Sequence, residues 1–333
     1  MPASSRTTRF AARALQPLSL LALALFAAAP ATAQDAYPNK PVRLVVPFPP
    51  GGSTDNLARV LVTRWSEQLG QTLLVENRGG AGGNVGVEVV ARAAPDGYTV
   101  GLFDTAFVVN PTLYAKLPFD TLRDFAPVMF VATGPAVLVV HPSVPATTVK
   151  EMIALARSKP GALSYASAGS GTAIHLAAEM FKVAARLDIV HVPYKGAGPA
   201  IVDVVAGHVP LMFAQPGTVL GFVNQGKLRA IAMTGDRRWN GMANVPTFAE
   251  TGLAGVDSSS SWHVMVPAAT GKAPIATLHG SLARTLALPE IRDRLAELAY
   301  LIVAADPEKS AVMQRQEIER WGRVVKSSGA RVD

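Results

Sequence analysis

The pattern of hydrophobic and polar positions switches repeatedly between the period of a strand and the period of a helix. Residues 42–48 form a short, β-branched and largely apolar run, which suits a strand buried in a parallel sheet. Gly51 and Gly52 follow, and then Leu57, Val60, Leu61 and Leu69 recur at helical spacing, with Gly70 as the stop. A strand over 72–76, a helix over 85–93, a turn at Pro95-Asp96-Gly97 and a strand over 98–103 continue the alternation.

A second series starts near Pro135. Thr148-Val149-Lys150-Glu151 reads as a capping box that opens a helix to about residue 158, where Lys159-Pro160-Gly161 ends it. A strand over 163–166, a loop over 167–172 and a helix over 173–185 follow, and the alternation continues through 189–192, 198–206, 209–213 and 219–225. Two apolar strands, 128–140 and 228–233, join the two blocks. After 233 the composition turns to loop residues. From Ala273 the chain is mostly helical, with Ile275, Leu278, Leu282 and Leu286 on one face, and a final helix over about 307–327 carries Trp321.

This alternation predicts an α/β fold whose sheets are mainly parallel and flanked by helices. A chain that passes out to a second domain and returns makes the first domain discontinuous. The expected division is 34–134 plus 236–333 for domain 1 and 135–235 for domain 2.

The first 33 residues have the layout of a secretory signal peptide: Arg6, Arg9 and Arg13, an apolar stretch over 15–29, and the small-residue motif Ala31-Thr32-Ala33. The apolar stretch is shorter than the roughly 20 residues that span a bilayer. Cleavage after Ala33 by the general secretory route, and release into a periplasm, are therefore expected. With the three leader arginines removed, 28 basic residues face 24 acidic ones, a net charge of +4 rather than +7. That excess is mild and lacks a basic cluster interleaved with aromatics, so no nucleic-acid partner is expected. The chain has no cysteine, which excludes disulfides and thiol chemistry and leaves burial to stabilise the fold.

The candidate chemistry lies in two matched loops. Gly51-Gly52-Ser53-Thr54 and Ser167-Ala168-Gly169-Ser170-Gly171-Thr172 each follow a strand and precede a helix. Glycines let a backbone approach a ligand closely, helix N-termini carry unpaired N–H groups, and Ser53, Thr54, Ser170 and Thr172 add hydroxyl donors. Each loop has the chemistry of an anion site, at the strand ends where open α/β sheets bind ligands, and taken singly each also reads as a tight turn with a hydroxyl helix cap; it is the matched pair that favours the anion site. Asp55, which repels an anion, suits a brace of the first helix. His175 lies on the first turn of its helix, where it either reaches the cleft or braces the loop. Enzyme signatures fail: there is no phosphate-binding lysine loop, the glycines at 79–86 miss the dinucleotide spacing, and the six histidines form no metal-ligand pair. No metal and no cofactor are expected.

The stretches Tyr37-Pro38-Asn39-Lys40-Pro41-Val42-Arg43-Leu44-Val45-Val46-Pro47-Phe48-Pro49-Pro50-Gly51-Gly52-Ser53-Thr54-Asp55, Glu76-Asn77-Arg78-Gly79-Gly80-Ala81-Gly82-Gly83-Asn84-Val85-Gly86, Pro95-Asp96-Gly97-Tyr98-Thr99 and His191-Val192-Pro193-Tyr194-Lys195-Gly196 resemble the solute receptors of tripartite tricarboxylate transporters, also called Bug proteins. Asn110-Pro111-Thr112-Leu113-Tyr114, Pro246-Thr247-Phe248-Ala249-Glu250-Thr251-Gly252 and Trp321-Gly322 agree in order. The resemblance implies a two-domain, type II-like periplasmic binding protein with two crossing strands as a hinge. It further implies a monomer that passes a small organic acid or amino acid to membrane permease subunits. The carboxylate-holding role falls by position on Pro50, Gly51, Gly52, Ser53 and Asp55, and on Ser167, Gly169, Ser170, Gly171 and Thr172, partly through bridging water.

Asp203 lies in the helix matching that position, facing the cleft or bracing it. Asp104 and Thr105 stand where the family pattern has small hydroxyl residues. Asp104 repels a second carboxylate but pairs with an ammonium group, while Phe103, Phe107 and Phe213 are alternative walls of an aromatic-acid pocket. Two other functions remain open from the residues alone: a hydrolase or isomerase using Ser170 with His175 or His263, and a sensor that presents the bound acid to a signalling partner.

Overall fold

The computed structural model describes residues 37–332, so the expected signal peptide lies outside the described residues. Pro41 and Pro47, which cannot donate to a sheet ladder, bracket β1 (Val42–Val46). Four of its five side chains are buried and only Arg43 points out, as its near-continuous apolar run predicts. α1 (Ser53–Leu69) follows the glycine loop and ends at Gly70, whose left-handed conformation lets its N–H donate to the Ser66 carbonyl at 3.0 Å. Leu57, Ala58, Leu61 and Trp65 form its buried face, and the Trp65 indole donates to Ser281 Oγ at 2.9 Å.

The chain continues through β2 (Leu73–Asn77), α2 (Asn84–Ala91), β3 (Thr99–Asp104), α3 (Ala106–Leu113), β4 (Phe125–Pro135) and β5 (Val137–Val140). Next come α4 (Val149–Ser158), β6 (Ser164–Ser167), α5 (Ala173–Ala185), β7 (Val190–Pro193), α6 (Ala197–Val205), β8 (Leu211–Ala214), α7 (Pro216–Asn224) and β9 (Arg229–Met233). β10 (Ser259–Pro267), α8 (Lys272–Ala287), α9 (Pro289–Glu297), β11 (Leu301–Ala305) and α10 (Pro307–Ser328) complete it. The capping box at α4 is present: Glu151 N–H donates to Thr148 Oγ1, and the Glu151 carboxylate accepts from Thr147 N–H at 2.7 Å.

Two sheets result, one in the order β11-β4-β10-β3-β1-β2 and one in the order β7-β6-β8-β5-β9. Both are mixed rather than mainly parallel. The β2-β1-β3 and β7-β6-β8 runs are parallel. The crossing elements β4 and β10, and likewise β5 and β9, pair antiparallel because one carries the chain out and the other brings it back. The apolar run 128–140 is two strands, one in each sheet, with only Ala136 between them. β10, β11 and α3 go beyond the sequence expectation. β10 begins Ser259-Ser260-Ser261, which reads as loop, yet Ser260 and Ser261 are buried and pair with Gly134 and Thr133 of β4.

Each sheet has its own core. The apolar cluster of the second sheet runs from Ala136 to Val256 and takes in Met242 and Phe248, beyond the expected boundary at 235. Thr234 ties the two connections together. Its N–H donates to Ala136 O at 2.8 Å, its hydroxyl accepts from Ala136 N–H at 2.8 Å, and the same hydroxyl donates to Ser258 O.

Candidate functional site

The first loop is held from within. Asp55 sits in the first turn of α1, 1% exposed, and both of its carboxylate oxygens are engaged. Oδ2 accepts from Gly51 N–H at 3.0 Å and from Arg59 Nε at 2.8 Å, and Oδ1 accepts from Asn77 Nδ2 at 3.0 Å. Burial pushes the Asp55 carboxyl up, but the hydrogen bonds from Arg59, Gly51 and Asn77 outweigh it and hold the group below the usual carboxylate range. Gly51 has φ 88°, the left-handed region where a side chain is strained. The Tyr300 hydroxyl donates to Ser53 O at 2.6 Å and fixes the loop from the other side.

The second loop is braced in the same manner. Thr172 caps α5, its hydroxyl accepting from His175 N–H and donating to Gly169 O at 2.8 Å. Gly171 N–H donates to His175 Nδ1 at 3.2 Å, and the His175 ring stacks on His191 with centroids 4.2 Å apart. Burial, with His191 and Lys182 nearby, lowers the His175 pKa to about 3, so the ring is neutral and serves as an acceptor. Ser167 Oγ accepts from Gly169 N–H at 3.1 Å and lies 2.6 Å from His191 Nε2.

The loops converge closely enough that side chains are excluded. A Cβ on Gly82 would lie 2.5 Å from Ser170 O, one on Gly198 2.7 Å from Pro50 O, and one on Gly196 2.8 Å from Pro49 Cδ. Between them is a cavity of about 20 Å³ whose polar wall is Ser53, Asp104, Thr172, Gln215, Thr218 and Ser260. That volume admits about one water molecule.

Asp104 closes β3, and its Oδ1 accepts from Ala106 N–H at 3.0 Å. Burial drives its pKa to about 7, only partly offset by backbone hydrogen bonds, and no cationic side chain pairs with it among the described residues. Gln215 lies between β8 and α7, and its Nε2 donates to Ala299 O at 3.2 Å. Its Oε1 is buried and has no hydrogen-bond partner among the described residues.

Of the residues singled out in the sequence, Ser53, Asp104 and Thr172 stand on the cavity wall. Pro50, Gly51 and Gly52 pack against residues 197 and 198, and Ser170 and Gly171 lie against Gly82 and Asn110. Asp55, Ser167 and His175 brace the loops. Thr105 accepts from Ser261 N–H at 2.7 Å, and Asp203 accepts from the Tyr194 hydroxyl at 2.6 Å. Phe103, Phe107 and Phe213 are core residues, at most 1% exposed. His263 is buried in the first sheet, 3.1 Å from Ser261 Oγ and edge-on to Phe130, and burial lowers its pKa to about 3. Gln215, Thr218, Ser260 and Ala197 join the wall unannounced. Gln215 carries the same signal as the two loops, a strand end before a helix, here with Pro216 at the helix start. Among the described residues no helix is long and apolar enough to cross a membrane, and no group of side chains is placed to hold a metal ion.

A sequence profile described as the tripartite tricarboxylate transporter family receptor matches residues 57–330. Protein BugT of Bordetella pertussis is 36% identical over 307 residues, which cover 92% of this chain and 94% of the relative. The periplasmic binding protein BugD is similar in structure, with a TM-score of 0.86 at 33% identity over 89% of this chain and 100% of BugD. MatC from Rhodopseudomonas palustris, solved with bound malate, aligns with a TM-score of 0.83 at 30% identity over 87% of this chain and 100% of that one.

Proposed function

The chain belongs to the tripartite tricarboxylate transporter receptor family, and from that premise we propose that it captures a small carboxylic acid between its two sheets and delivers it to membrane permease subunits. Receptors of this family are periplasmic binding proteins with two α/β domains. In this proposal the leader is removed after about Ala33, and a monomer closes by rotating about Ala136 and the 234–258 connection. In it residues 34–134 plus 236–333 form domain 1 and 135–235 domain 2, with Met242, Phe248 and Val256 packing into the core of the second sheet. The acid is bound without turnover.

One observation carries the proposal. The N-termini of α1 and α5, one from each sheet, meet at a single cavity through Ser53 and Thr172. Each N-terminus offers unpaired N–H groups and a partial positive charge, and together they make a two-sided clamp for one carboxylate. MatC, a relative of the same fold, holds malate, an acid of the class such a clamp suits. The glycines at 51, 82, 169 and 171 let the two backbones close around so small a group.

The test is a thermal-shift and calorimetry panel of dicarboxylates, tricarboxylates, amino acids and aromatic acids. An acid at 100 times its Kd is expected to stabilise the protein by roughly 2.7 kcal/mol. Absence of a shift from every carboxylate, up to millimolar concentration, overturns the proposal. Turnover of a bound acid overturns its non-catalytic part.

A further inference from the structure

We propose that Asp104 and Gln215 form an acceptor subsite for a protonated amine, so that the acid this receptor takes is an amino acid or a similar ammonium-bearing carboxylic acid. The inference rests on the carboxylate-receptor function and names its ligand class.

The Gln215 amide orientation is fixed. Nε2 must face Ala299 O, because the flipped amide would set two acceptors against each other. Oε1 is thereby left without a donor on a side chain only 4% exposed, and a buried acceptor in that condition is costly unless a ligand supplies an N–H or O–H. Asp104 is the second acceptor on the same wall, with only backbone N–H donors, of Ala106 and of its own residue, and no cationic partner among the described residues. The Thr218 hydroxyl, also on this wall, donates to Gln215 O at 2.7 Å and so gives nothing to the cavity. A second carboxylate placed against Asp104 and Gln215 meets two acceptors and, once Asp104 ionises, a like charge. A hydroxyl has one hydrogen for two acceptors. An ammonium group has three N–H donors and a charge that Asp104 neutralises. The donor-rich helix ends and the acceptor-rich pair thus match the two ends of a zwitterion.

The experiment is isothermal titration of the purified receptor with the common amino acids, each paired with its des-amino and its 2-hydroxy analogue, for example glutamate, glutarate and 2-hydroxyglutarate. The same titrations are run on Asp104→Asn, which keeps the acceptor for Ala106 N–H, and on Gln215→Met. The best amino acid is expected to bind about 10- to 100-fold tighter than its des-amino partner, the span for hydrogen bonds to a charged group. In Asp104→Asn that ratio is expected to collapse to within about twofold, and in Gln215→Met to shrink several-fold. Because the readout is a ratio within one protein, a general loss of stability does not produce it. A des-amino or hydroxy acid that binds as tightly as the amino acid, or a ratio unchanged in Asp104→Asn, overturns the inference and leaves the carboxylate receptor standing. Failure of every acid to bind overturns both.

Discussion

Gly51 donates its backbone N–H to Asp55 Oδ2 at 3.0 Å, so the loop that faces the cavity is held by a carboxylate pointing away from it. The Asp55 charge is neutralised by Arg59 while it fixes the loop backbone, which suits the anion-binding role proposed for the loop. Asp55→Ala leaves the Gly51 N–H and one Asn77 donor without their acceptor and is expected to cost about 1–3 kcal/mol in urea unfolding. Acid affinity should fall in parallel. The folded Asp55 carboxyl is held below its unfolded value, so its contribution is present above about pH 4 and is lost as pH falls through the folded value. In Asp55→Asn the corresponding part of the acid destabilisation should be missing.

Gly82 offers a test of closure that leaves the polar wall untouched. A methyl group there would lie 2.5 Å from the Ser170 carbonyl oxygen, backbone that has little freedom to retreat. Gly82 also has φ 60°, where a non-glycine residue costs about 1–2 kcal/mol. Gly82→Ala is therefore expected to lower acid affinity by at least about tenfold while global stability falls by no more than about 2 kcal/mol. Small-angle scattering should show the variant more open at saturating acid. Wild-type affinity in Gly82→Ala would show that the two loops do not need this contact.

The strand and helix periods carried most of the parallel architecture, because β1, β6 and their helices bury one continuous face each. Register and direction were less visible. β4 and β10 pair antiparallel from Ser259 opposite Pro135 to Pro267 opposite Phe125, residues far apart in the chain, and Trp262 against Tyr300 and Ser261 on Glu317 tie β10 to the C-terminal segment. β10 escaped because its three serines look like loop, and burial changes their meaning only once Thr105 and Glu317 supply partners. At the site, composition and spacing picked out the two loops but not the division between residues that line the cavity and residues that brace it. Asp55, Thr105 and His175 are polar residues at the right positions whose hydrogen bonds all run inward, and only the fold reveals that direction.

Thr234 predicts the energetic weight of the crossing. Its hydroxyl both accepts from Ala136 N–H and donates to Ser258 O, so Thr234→Val preserves shape while orphaning one donor and one acceptor at a fully buried point. A loss of about 2–4 kcal/mol is expected in urea unfolding, and Thr234→Ser should recover most of it. Loss below about 0.5 kcal/mol in the valine variant would mean that the two connections are held by packing instead.

Asp104 makes the sharpest pH prediction. Burial raises its carboxyl to about 7, against about 3.9 in an unfolded chain, so the folded protein holds this proton more tightly than the unfolded one. The destabilising term is therefore absent below about pH 4, grows as pH rises from about 4 to about 7, and is fully present above that. At about 1.4 kcal/mol per unit, and with the carboxyl facing a cavity that relieves part of the desolvation, the penalty is about 2–4 kcal/mol. Ser53, Gln215 and Ser260 share the cavity with Asp104, and Trp262 is its partner in β10; none of these groups titrates in this range. Asp104→Asn should accordingly be more stable than the wild-type chain at pH 8 and close to it at pH 4, measured by thermal unfolding across that range. An amine-bearing ligand removes the penalty by pairing with the ionised carboxylate, so its stabilisation of the wild-type protein should be larger at pH 8 than at pH 5. A des-amino acid should show the opposite trend, because it adds a second negative charge beside Asp104 as that group ionises. Equal pH profiles for the two ligands would mean that Asp104 does not face the ligand.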